Sequence, residues 1–209
     1  MKKIIKENKK HIMLLLIIIS IFFVLKKINN FQLFTSLDKF IQNIFSKIYN
    51  PNNEQFLSIM SDLLGIYTPI LIIMCMFLLF KKKIYFKLQL FSYIFTLLTS
   101  VATKNIIQRE RPSMNMLATI DVFSFPSSHT LVSFVFYYFL AYILSVNSDK
   151  KTKIALNIMA SIIISTVAMS RLYLGVHYIT DIIGAIIIGI FILKIMKNIV
   201  KSKYERKLV

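Results

Sequence analysis

Leu63-Leu64-Gly65-Ile66-Tyr67-Thr68-Pro69-Ile70-Leu71-Ile72-Ile73-Met74-Cys75-Met76-Phe77-Leu78-Leu79-Phe80 carries no charge, and Lys81-Lys82-Lys83 follows at once. With residues 56–62 in front, the run exceeds the roughly 20 residues that a helix needs to cross the hydrocarbon core. Lipid satisfies no backbone group, so the stretch is predicted as a spanning helix. Further apolar runs occupy 11–25, 84–102, 131–146, 154–169 and 182–196. With flanking residues and snorkelling lysines the six spans fall at about 11–27, 56–80, 84–103, 129–147, 153–170 and 178–197.

Composition agrees. The chain has 209 residues, 56% of them hydrophobic, and a mean hydropathy of +0.68, more apolar than an ordinary soluble domain. The length suits a single domain over 1–209. The single cysteine, Cys75, excludes an intrachain disulfide and a cysteine metal cluster and is expected in the core. The net charge of +17 sits at the ends of the apolar runs, where lysines anchor helices to anionic lipid, so nucleic acid is not expected as a partner.

Residues 1–10 are Lys-rich, but no small-residue cleavage site follows the first apolar run, so that run reads as a retained signal anchor. In 31–49, Leu33, Phe34, Leu37, Phe40, Ile41, Ile44, Phe45 and Ile48 recur at helical spacing, with Gln32, Ser36, Asp38, Lys39, Asn43 and Lys47 between them. This amphipathic helix either lies in the membrane interface or packs on the bundle. With six spans, 18 of the 26 Lys and Arg residues fall on the side of the termini. The positive-inside rule makes both termini cytoplasmic and turns the third and fifth connections outward.

Those two connections hold the polar residues of interest. Lys104 and Arg111 are seven apart, two turns if the helix continues, and with Arg171 they form a three-cation cluster suited to phosphate. Pro126-Ser127-Ser128 reads as a helix start whose free N–H groups face an anion. His129 on that first turn is placed to protonate a leaving group. His177 and Asp181 are four apart, so on a helix the carboxylate holds one imidazole nitrogen and leaves the other free as a nucleophile. His11 is read as incidental. Arg109 and Glu110 are expected to pair with each other or touch headgroups, and Asp121 to be solvated. Asp62, an acid inside a span, is suspect by default, and a polar contact near the interface is its expected role. Tyr173 and Tyr178 are expected to pack or to sit at headgroup level.

The three segments, Lys104-x6-Arg111-Pro112, Pro126-Ser127-Ser128-His129 and Ser170-Arg171-x5-His177-x3-Asp181, resemble the signature of the type 2 phosphatidic acid phosphatase superfamily. The second departs from the family pattern, with Ser128 where glycine is usual; its N–H survives, while its hydroxymethyl is expected to tighten access to phosphate. The resemblance implies an all-α integral membrane bundle of six spans, with an interfacial amphipathic helix between the first two. It also implies hydrolysis of a lipid phosphate or lipid pyrophosphate (undecaprenyl pyrophosphate, phosphatidylglycerol phosphate or phosphatidate) with no cofactor and no metal.

In that reading His177 attacks phosphorus to form a phosphohistidine while Asp181 orients its ring. Lys104, Arg111, Arg171, Ser127 and the Ser128 N–H hold the phosphate. His129 protonates the departing oxygen and then activates water. The scarcity of carboxylates argues against a two-metal site. A lipid phosphotransferase of the same superfamily and a non-catalytic transporter or scaffold are the alternatives. The expected partners are the substrate lipid and the bilayer, and the expected site faces the extracytoplasmic side of the cell membrane.

Overall fold

A computed structural model describes residues 32–79, 83–112 and 123–208, together with Lys9 and Met13. Apart from Met13, the expected first span at 11–27 lies outside the described residues, as does Asp121. Every regular element among them is helical: α1 (Gln32–Ile48), α2 (Pro51–Leu79), α3 (Lys83–Ile107), α4 (Ser128–Leu144), α5 (Lys150–Tyr173) and α6 (Ile179–Leu208). Helices α2, α3, α5 and α6 each contain a segment long and apolar enough to cross a membrane. The chain is an all-α integral membrane bundle.

Helix α4 is the hub, packed against α3, α5 and α6. Its 17 residues span only about 25 Å, but Val132, Val135, Phe136, Phe139 and Ile143 are buried, so protein rather than lipid surrounds much of it. Apolar contacts drive little helix association inside a bilayer, and interhelical polar bonds add to the packing. Gln89 of α3 donates to the Phe136 carbonyl at 3.1 Å, and Tyr138 and Ser161 share a hydroxyl bond of 2.8 Å. In α2 the α-helical turns widen to a π-helical turn over Leu63–Tyr67, and the Tyr137 hydroxyl of α4 donates to the Leu64 carbonyl there.

One expectation needs correction, and one is sharpened. Cys75 is exposed on the outer surface of α2 rather than in the core; the uniformly apolar helix gives no stripe by which sequence distinguishes its lipid-facing from its protein-facing side. In α1, Leu37, Phe40, Ile44 and Ile48 face outward, each more than 40% exposed, whereas Asp38 is 1% exposed. The apolar stripe therefore points away from the bundle, as an interfacial helix requires. The other side docks on α5 and α6 through Asp38, one of the polar positions between the apolar ones.

Candidate active site

Four helix ends meet at one pole of the bundle: the C-termini of α3 and α5 and the N-termini of α4 and α6. Helix α3 stops at Ile107 because Gln108 turns left-handed (φ 51°), its N–H closing back on the Lys104 carbonyl at 2.8 Å. Lys104 and Arg111 thus do not share a continuous helical face, as their spacing suggested; a loop brings Arg111 round. Helix α5 ends in a Schellman-type turn with Gly175 at φ 64°, the Val176 N–H reaching the Arg171 carbonyl at 3.3 Å. A Cβ is strained at that φ, so glycine suits the reversal that brings His177 back toward Arg171.

His177 precedes α6, and Asp181 lies in its first turn. One Asp181 oxygen (Oδ2) accepts from the Tyr178 N–H at 2.9 Å and lies 3.4 Å from His177 Nδ1. The proton on Nδ1 therefore points to the carboxylate, and Nε2 is the unprotonated nitrogen. Nε2 stands 3.5 Å from Arg111 Nη1, which also donates to the Val176 carbonyl at 2.8 Å. Burial, aided by Arg111 and Arg171 and opposed by Asp181, pushes the His177 pKa down to about 3. The ring is neutral near pH 7, as a nucleophilic imidazole must be. Burial also lowers the pKa of Arg111, which stays charged.

The other cations converge on the same place. Arg171, 5% exposed, donates from Nη1 to Ser61 Oγ at 2.9 Å, while its Nε is buried with no hydrogen-bond partner among the described residues. An unpaired buried guanidinium N–H is costly unless an anion completes it. Lys104, also 5% exposed, donates through Nζ to the carbonyls of Phe123 and Ser124, tying the end of α3 to the segment that leads into α4. Among the described residues, no three His, Cys, Asp or Glu side chains gather in a way that holds a metal ion.

The second motif starts α4 as its sequence suggested: Ser127 is the extended N-cap, and its hydroxyl bonds Thr130 Oγ1 at 3.0 Å. First-turn N–H groups have no intrahelical acceptor and point toward the pole. The Ser128 hydroxyl bonds Ser100 of α3 at 2.8 Å. That bond ties the start of α4 to α3. His129 Nε2 lies 2.8 Å from Asp62 Oδ1, and Asp62 is also 3.9 Å from Arg171. A Cβ on Gly65, in the π-helical turn, would sit 2.9 Å from His129 Cδ2, so only glycine lets the ring lie this close to α2.

The structure completes one reading and changes another. The polar contact expected of Asp62 is made with His129, and its position inside a span was the signal that pointed to it. Arg109 does not pair with Glu110. It donates to Asp181 Oδ1 and to Asp38 Oδ2, each at 2.6 Å, and stacks 3.9 Å over the Tyr178 ring. Asp38 in turn accepts the Thr180 N–H at 3.1 Å at the start of α6. The carboxylate that meets His177 is thus held from behind by an arginine anchored to α1. Tyr178 packs under Arg109, and the Tyr173 hydroxyl accepts the Asn50 N–H at 2.7 Å.

Comparison with known proteins matches residues 85–205 to the PAP2 superfamily model. Phosphatidylglycerophosphatase B of Bacillus subtilis (strain 168) is 35% identical over 97 residues, 46% of this chain. The matched stretch spans about half of that relative, 48% of its length. A crystal structure described as the first transmembrane PAP2-type phosphatidylglycerolphosphate phosphatase, also from Bacillus subtilis, superposes with a TM-score of 0.77. It is 25% identical and covers 90% of this chain and 96% of its own. Aquifex aeolicus LpxE shares the fold, with a TM-score of 0.54 at 21% identity over 77% of this chain and 94% of its own.

Proposed function

The chain belongs to the PAP2 superfamily, and from that premise we propose that it hydrolyses the phosphomonoester or pyrophosphate end of a membrane lipid, without a metal, through a phosphohistidine on His177. The single observation that carries this reading is the His177 ring, held at Nδ1 by Asp181 while Nε2 faces Arg111. Phosphoryl transfer asks the protein for positioning and for charge stabilisation of the transferring group. Arg111, Arg171 and Lys104 supply positive charge, and the unpaired Arg171 Nε is one donor for a phosphate oxygen. The first-turn N–H groups after Ser127 supply further donors. Asp181 stabilises the imidazolium as the nitrogen–phosphorus bond forms, and Arg109 keeps that carboxylate in place. His129, steadied by Asp62 and by close contact with Gly65, gives its proton to the departing oxygen and then takes one from water.

The site lies at the pole of a bundle whose α1 presents an apolar stripe outward, which suits a substrate that stays in the bilayer. The 18-to-8 division of basic residues supports an extracytoplasmic position for this pole. Phosphatidylglycerol phosphate is the first substrate to test, because the similar Bacillus proteins carry that activity in their names; undecaprenyl pyrophosphate and phosphatidate follow. The test is phosphate release from these defined lipids by purified protein in the presence of EDTA. Wild type is expected to release phosphate from at least one of them and His177→Ala from none. Release by His177→Ala equal to wild type, or loss of wild-type activity to EDTA with recovery on adding a divalent metal, overturns the reading.

A further inference from the structure

At the pole opposite His177, a cavity of about 340 Å³ opens between the end of α4, the start of α5 and the last turns of α6. Three of its lining side chains are the lysines Lys153, Lys197 and Lys201, and no carboxylate lines it among the described residues. Lys197 and Lys201 are four apart on α6 and share a face, with Lys153 facing them from the first turn of α5. Lys197 is not a freely extended anchor: it is half-buried, with Nζ 5.3 Å from the centroid of the Tyr142 ring. The nearest acid in sequence, Asp149, caps α5 by accepting the Thr152 N–H at 3.1 Å and is exposed. The volume equals on the order of ten waters, at about 30 Å³ each, enough for a phosphate-bearing headgroup.

The surroundings identify the kind of anion. Leu144, Ile154 and Ile158 each adjoin a lining residue in sequence (Ser145, Lys153 and Asn157) and are 43%, 50% and 54% exposed. A soluble phosphate gains nothing from such a border, whereas a phospholipid sets its phosphate among the lysines and its acyl chains along these side chains. Basic pockets between spanning helices take anionic headgroups in this way. We propose that this cavity is a binding site for an anionic phospholipid, separate from the phosphatase site and about 25 Å from it along α4. The site does not depend on the proposed reaction.

The test titrates the full-length protein in detergent with phosphatidylglycerol, with phosphatidylcholine and with inorganic phosphate, and reads bound lipid by native mass spectrometry. Wild type is expected to retain phosphatidylglycerol well over phosphatidylcholine. The triple variant Lys153→Gln, Lys197→Gln, Lys201→Gln should lose that preference. The loss is about five-fold per lysine and on the order of 100-fold for all three, from the typical worth of a lysine near an anionic surface. The triple Lys→Arg variant keeps the charge and should keep the preference; nitrophenyl phosphate hydrolysis, remote from the cavity, shows that both variants are folded. Unchanged phosphatidylglycerol preference in the glutamine variant overturns the proposal. So does displacement of phosphatidylglycerol by inorganic phosphate at comparable concentration, which would make the cavity a soluble-anion site.

Discussion

At the scale of single residues, the account turns on which partners hold the two histidines. His177 was legible in sequence because its carboxylate is four positions away and because Arg171 precedes it in the same short segment. The partner of His129 was not: Asp62 is 67 positions distant, and only its presence inside a span drew notice. If Asp62 keeps His129 oriented as the acid, the effect of substituting it should follow the leaving group. His129→Ala should slow the first step on a lipid phosphomonoester, which expels an alkoxide, by roughly the 10²–10⁴-fold that general-acid help is worth. Nitrophenyl phosphate, which expels a stable phenolate, should be little affected. Asp62→Asn should show the same pattern at smaller amplitude, with single-turnover kinetics isolating the step. Equal slowing of both substrates by Asp62→Asn would reduce Asp62 to a packing role.

At the scale of elements, runs of apolar residues marked the helices, and their ends were hidden. Nothing local announced that Gln108 would end α3 in a left-handed turn, nor that α2 would widen at Leu63–Tyr67, because tertiary contacts decide both. The interfacial helix α1 was legible from its stripe, but the purpose of its buried carboxylate was not. Asp38 meets Arg109 and Thr180, 71 and 142 positions away. This pair ties the membrane-facing helix to the carboxylate behind His177. Asp38→Ala removes one of the two carboxylates that Arg109 meets and leaves the Thr180 N–H without its acceptor. With Asp181 still on Arg109, the cost is that of buried donors left unsatisfied, about 1–3 kcal/mol, and denaturation in detergent should show a loss of that order. Kinetics on the folded fraction should show kcat falling with KM little changed, since Asp181 is displaced and the phosphate-binding cations are not. A loss below about 1 kcal/mol with unchanged kcat would show that α1 is only a surface anchor.

At the scale of the whole molecule, the three motifs meet at one pole and a lysine-lined cavity lies at the other. The distribution of basic residues predicts that the second pole faces the cytoplasm. A cysteine at Ser148, in a Cys75→Ser background that removes the exposed native thiol, should resist a membrane-impermeant thiol reagent in intact cells and react after lysis. Labelling in intact cells would reverse the orientation. The covalent intermediate is the central claim, and trapping it is the most direct test. Purified protein is mixed with nitrophenyl phosphate labelled at phosphorus, whose phenolate leaves without an acid, quenched in alkaline denaturant within one turnover, and digested for mass spectrometry. The account predicts a phosphoryl group on His177 that survives alkali and is lost in mild acid. Hydrolysis should discharge it slowly enough for capture in a His129→Ala background, and it should be absent from His177→Ala. Turnover with no label on His177 in that background, or label on another residue, would contradict the account.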